Sequence, residues 1–172
     1  MRLIFYLQIQ HYNYNMPAPI FTPQGTHKND YIEVDGEIDW AIIPAHTLPG
    51  QKVDMPIRLR VGDQDFGEKH IYHGHADWLT KIKRSASELV WEKLSLQGGK
   101  FFKGKKKRHN LYVNLTPHCL IVLERQQDRA TNTHFYSIVT MYQHRPQRHD
   151  KALADYSSTF KNPNANTALR KG

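Results

Sequence analysis

Leu111-Tyr-Val-Asn-Leu115, Cys119-Leu-Ile-Val-Leu123 and His134-Phe-Tyr-Ser-Ile-Val-Thr-Met-Tyr142 follow one another between residues 111 and 142, and this stretch decides the fold. All three runs are rich in β-branched and aromatic residues, which suit a pleated, half-buried surface. Thr116-Pro-His118 and Gln126-Gln-Asp-Arg-Ala-Thr-Asn132 separate them, and connections this short predict an antiparallel meander.

Upstream the period changes. Leu79, Ile82, Ala86, Leu89, Val90 and Leu94 keep helical spacing, with Lys81, Lys83, Arg84, Glu88 and Glu92 between them. That predicts a helix over about 78–95, with Asp77 as its cap. Before it, Pro56-Ile-Arg-Leu-Arg-Val-Gly62 alternates Ile57, Leu59 and Val61 with Arg58 and Arg60, the mark of a half-buried strand. Gly67 to His75 suggests one or two helical turns broken by Gly74. The order strand, helix, three strands predicts an α+β domain: a helix packed on an antiparallel β-sheet meander. This domain is expected over 55–145. Residues 1–54 are expected to be an extended lead-in with short β elements at Tyr31-Ile-Glu-Val34 and Trp40-Ala-Ile-Ile43. Residues 146–172 are expected to form a polar tail.

A chain of 172 residues that is 39% hydrophobic has room for one ordinary core. No run approaches the length of a transmembrane helix, so no membrane partner is expected. A single cysteine, Cys119, rules out an internal disulfide framework and a multi-thiolate zinc site. The opening residues lack a long apolar core and a small-residue cleavage site, so no signal peptide is expected. Together these features point to a soluble protein of the cytoplasm, or one delivered into a target cytoplasm.

The formal charge is +8. Residues 81–110 hold ten basic residues against two acidic ones, a surplus equal to the whole net charge. Residues 27–54 run the other way, with two basic and six acidic residues. A basic region of this kind makes nucleic acid the first expected partner. The 98–108 segment is read as a mobile loop that follows a phosphate backbone through Lys100, Lys103, Lys105, Lys106, Lys107 and Arg108 and stacks bases on Phe101 and Phe102. Arg58 and Arg60 on the preceding strand extend the basic surface. A solvated loop or a nuclear localisation signal are the competing readings of the same run.

His70, His73 and His75 cluster beside Lys69. Metal binding with help from Glu68 and Asp77 is one reading, and structural histidines are another. The third is general acid–base catalysis, because histidine titrates near neutrality. In RNA cleavage a base takes the ribose 2′-OH proton, the oxygen attacks the adjacent phosphate and an acid protonates the leaving 5′-oxygen. His70, His75, Lys69, Thr140, Tyr142 and His144 supply the groups for this without a metal or other cofactor.

Pro56-Ile-Arg-Leu-Arg-Val-Gly62, then Gly67-Glu-Lys-His70-Ile71 and His75, resembles the phage-encoded branch of the barnase/EndoU/colicin/RelE-like nucleases. The resemblance spans about residues 55–145, with Tyr136 to Tyr142 matching the terminal strand that carries a hydroxyl near an aromatic. It implies a barnase/RelE-like α+β fold and metal-independent endoribonuclease activity in a toxin or phage effector. RNA, with tRNA among the candidates, would be the substrate, and an immunity or antitoxin protein a partner. His70 and His75 match the motif histidines and Thr140 the strand hydroxyl, while Arg125 sits where a strand-borne cation would stabilise phosphate. Residues 1–50 and those after 150 have no counterpart in the pattern, and His73 leaves the acid and base assignments open. The rival expectation is a non-catalytic nucleic-acid-binding module using the same basic segment.

Overall fold

The computed structural model describes residues 18–95 and 98–158. The expected lead-in up to residue 17 and the expected tail from residue 159 lie outside the described residues, as do Leu96 and Gln97.

A small hairpin-like pair comes first, β1 (Phe21–Pro23) antiparallel to β2 (Ile32–Val34). Then come β3 (Ala41–Ile43), β4 (Met55–Arg58), α1 (Gly67–Ile82), α2 (Ala86–Leu94), β5 (Gly99–Lys103), β6 (Arg108–Val113), β7 (Cys119–Asp128), β8 (Thr133–Tyr142) and β9 (Ala152–Tyr156). The main sheet has seven strands in the order β3-β4-β8-β7-β6-β5-β9. Every neighbouring pair is antiparallel except β4 and β8, which run parallel.

This corrects the expected fold. The chain is dominated by a curled, mixed seven-stranded sheet with two short helices, not by a helix packed on an antiparallel meander. The expected strands at 111–142 are present, but the sheet grows beyond them at both edges. β3 and β4 join through the parallel contact of Ile57 with Tyr136, and β5 and β9 add at the far side. Segments on either side of the expected domain therefore enter the sheet. Trp40, buried completely, donates its indole N–H to the Ile32 carbonyl at 2.7 Å and meets Trp91 edge-on.

The single helix expected over 78–95 is two helices. Lys83 adopts left-handed backbone angles (φ 55°) that end α1, and Ser85 and Glu88 form a reciprocal capping box that starts α2. Asp77, the expected cap, lies inside α1. Periodicity hid the break, because Leu79 before it and Leu89, Val90 and Leu94 after it all enter one core. The start of α1 is fixed by two glycines at positive φ, Gly62 and Gly67. A Cβ on Gly62 would lie 1.9 Å from the Phe66 carbonyl oxygen, so only glycine fits this turn.

Period-2 alternation divides the sheet into two faces. Phe101, Leu111, Ile121, Leu123, Ile138 and Met141 point into the main core with α2. The opposite face carries a smaller cluster, Leu120, Val122 and Val139, flanked by Phe66, Tyr112 and Tyr142. A bulge changes the β7–β8 register, so that Val122 faces Thr140 and Leu123 faces Ile138. Among the described residues no helix is long and apolar enough to cross a membrane.

Candidate nucleic-acid interface

Of the 98–108 segment expected as a loop, Gly99–Lys103 is strand β5, and the 103–108 run is the turn of the β5–β6 hairpin. Gly104 N–H donates to the Arg108 carbonyl at 2.9 Å, and Arg108 N–H to the Lys105 carbonyl at 3.1 Å. Lys103, Lys105, Lys106 and Lys107 are exposed around this turn. Strand alternation separates the two phenylalanines. Phe101 is buried in the core, edge-on to Tyr156, and offers no stacking surface. Phe102 faces the other way, opposite Asn110, and lines a cavity of about 310 Å³.

That cavity lies on the face carrying the smaller cluster. Leu120, Val122, Thr140 and Tyr142 line it, Lys103, Lys105 and Arg108 supply positive charge, and His144 and Asp150 border it from the segment after β8. Arg108 donates to Glu124 across the β6–β7 pair at 2.7 Å, which orients its guanidinium. The Thr140 hydroxyl oxygen is buried and has no hydrogen-bond partner among the described residues. A buried polar atom without a partner at a cavity wall is costly unless something entering the cavity bonds to it.

His75 reaches this region through a kink. Its backbone is non-helical (φ −138°, ψ 23°) in the middle of α1, directly after Gly74. Its imidazole stacks on the Tyr142 ring, with centroids 5.9 Å apart and planes at 27°. The His144 ring lies on the same tyrosine at 5.8 Å. Burial, reinforced by the charge of His70, holds the His75 imidazole below its ordinary range.

Other expected site residues fall elsewhere. His70 donates its Nδ1 hydrogen to the Gln64 carbonyl at 2.6 Å, and it does not line the cavity. Lys69 and His73 line a different groove, with Lys28 and Gln64. Arg125 pairs in register with Tyr136, placing it on the core side of the sheet, away from Thr140. Lys100 is exposed, 3.9 Å from Asp155. Arg58 is buried and ion-paired with Asp39 and Asp128, over the rings of Tyr31 and Phe135. Arg60 donates to Ser137 and Asn29 and lies over Phe66 at 4.0 Å. Both strand arginines thus tie the fold together. Among the described residues no three His, Cys, Asp or Glu side chains gather into a metal-binding group.

The sequence reading missed Asn110, Glu124 and Asp150. The first two carried a signal, since they alternate in phase with Arg108 on β6 and Val122 on β7. Asp150 had none.

No family model, curated protein or solved structure matches this chain.

Proposed function

We propose that this protein binds RNA on the cavity face of its sheet and cleaves it by metal-independent acid–base chemistry. The observation that carries the reading is a convergence. Two imidazoles, His75 and His144, border the Tyr142 ring, beside a cavity with a lysine–arginine rim and an unpartnered Thr140 hydroxyl.

The chemistry follows from the charges. His75, kept neutral by burial, takes the 2′-OH proton, and the 2′-oxygen attacks phosphorus. The bond from phosphorus to the 5′-oxygen breaks, and His144 in its protonated form gives that oxygen a proton. The products are a 2′,3′-cyclic phosphate and a 5′-hydroxyl. Arg108 and Lys105 neutralise the charge that builds on the non-bridging oxygens, and the Thr140 hydroxyl donates to one of them. Phe102 offers its ring to a base.

The test is product analysis. A single-stranded RNA should give 2′,3′-cyclic phosphate ends, and the same strand with 2′-deoxyribose at the scissile position should stay intact. An uncut RNA, or equal cutting of the deoxy strand, overturns the mechanism. A second reading, non-catalytic binding, is favoured by the Phe102 and Tyr142 rings on one antiparallel sheet face, and it predicts RNA retention without cutting.

A further inference from the structure

A second cavity, of about 520 Å³, opens where β7 and β8 approach their connecting turn. Phe135 and Gln126 pair in register there, in phase with Ser137 and Glu124 and on the same sheet face as the first cavity. A continuous polar path joins the two. Arg108, which lines the first cavity, bonds Glu124; Glu124 faces Ser137; and Ser137 accepts from Arg60, which lines the second. Along β8 the distance from Thr140 to Phe135 is about 16 Å at strand rise, beyond the reach of one nucleotide.

The lining chemistry differs from that of the first cavity. Gln24, Asn29, Gln126 and Gln127 bring side-chain amides beside the carboxylates of Asp30 and Asp128. Gln24 donates to Glu33, Gln126 to Glu124 and Gln127 to Asn132, and Asn29 accepts from Arg60, so each amide keeps further donor or acceptor capacity for a ligand. Amides match the mixed donor and acceptor edges of nucleobases better than they match phosphate. Arg129 stands exposed at the border, with no ion pair among the described residues.

We infer that this amide-lined cavity is a second nucleotide subsite, reading the base edge of a flanking residue of one extended single strand whose scissile phosphate lies in the first cavity. The inference rests on the RNA-binding reading above and deepens it. The substrate is a single-stranded oligonucleotide, since neither a mononucleotide nor a dinucleotide spans both cavities. Arg129 holds the phosphate that enters the subsite, and Arg60 keeps the floor between the cavities rigid.

The experiment measures binding, by fluorescence anisotropy, of a labelled single-stranded decanucleotide and a labelled dinucleotide, both 2′-O-methylated to block cutting. Wild-type chain is compared with the variants Gln126→Ala/Arg129→Ala and Lys105→Ala, with circular dichroism confirming that each folds. The double variant should weaken the decanucleotide about tenfold or more and leave the dinucleotide unchanged. Lys105→Ala should weaken both. If the double variant binds both RNAs as the wild type does, the second subsite is overturned while the first site stands. If the wild type binds neither RNA at low salt, the underlying reading falls, and the subsite with it. Equal weakening of both RNAs by the double variant also overturns the subsite, because it leaves no separate role for the second cavity.

Discussion

The imidazole of His75 lies nearly parallel to the phenol ring of Tyr142, with centroids 5.9 Å apart. The contact joins the kink of α1 to the last residue of β8, so the helix and the sheet wall hold each other in register. Tyr142→Phe keeps the ring and is expected to retain most cleavage activity. Tyr142→Ala removes the surface that positions His75 and His144, and kcat is expected to fall about 10²-fold or more, with KM changed less. Steady-state kinetics on a single-stranded RNA check this pair, and equal activity in both variants contradicts the positioning role.

Stability should depend on pH through the histidines. Burial lowers the folded-state pKa of His75, His109 and His118. Below the ordinary histidine value of about 6.5, the unfolded chain therefore binds more protons than the folded one, so stability rises with pH across that window and is lost as pH falls through it. Urea titrations between pH 7.5 and 5 should show a falling midpoint, and His109→Gln should flatten the slope. A midpoint that rises on acidification contradicts the assignment.

The buried and the exposed cations separate by function. Arg58→Ala leaves the carboxylates of Asp39 and Asp128 without their cation, and is expected to cost roughly 2–4 kcal/mol, between the values for exposed and buried pairs. Affinity of the folded fraction for the dinucleotide, which occupies the first cavity alone, should stay unchanged. Lys105→Ala should do the reverse, leaving thermal stability alone and reducing the slope of log K against log salt by about one. Parallel melts and salt titrations distinguish them.

Gly62→Ala is expected to destabilise the fold, by more than about 1 kcal/mol. Its Cβ meets the Phe66 carbonyl in the turn that launches α1. Because that turn also aims His75, loss of activity should accompany loss of stability. A variant that melts as the wild type does contradicts the turn's role.

Much of this was legible in the sequence, and the rest was not for identifiable reasons. The strands of 111–142 announce themselves because short runs rich in β-branched and aromatic residues are bounded there by turn residues. Their pairing with Ile57 and Arg58 does not, since a parallel contact to Tyr136 and Ser137 spans some eighty residues and leaves no local trace. The helix break was written in Ser85 and Glu88, yet the apolar spacing on both sides stays in phase and masks it. Phe101 and Phe102 look alike until the strand period sends one inward. Arg125 shares phase with Leu123 and Ile121, so its core-side placement follows from counting along β7. The fate of Arg58 does not follow from counting, because Asp39 and Asp128 reach it from distant segments. His75 stacks on Tyr142, which lines the cavity, while His70 turns to the Gln64 carbonyl.

The most direct measurement is cleavage of a single-stranded RNA by the purified chain in EDTA, wild type beside His75→Ala, with folding of both confirmed by circular dichroism. The account predicts cutting by the wild type, and a loss of about 10²–10⁴-fold in the variant, the contribution of a positioned general base. RNA left intact by the wild type, or cut equally well by both, contradicts it.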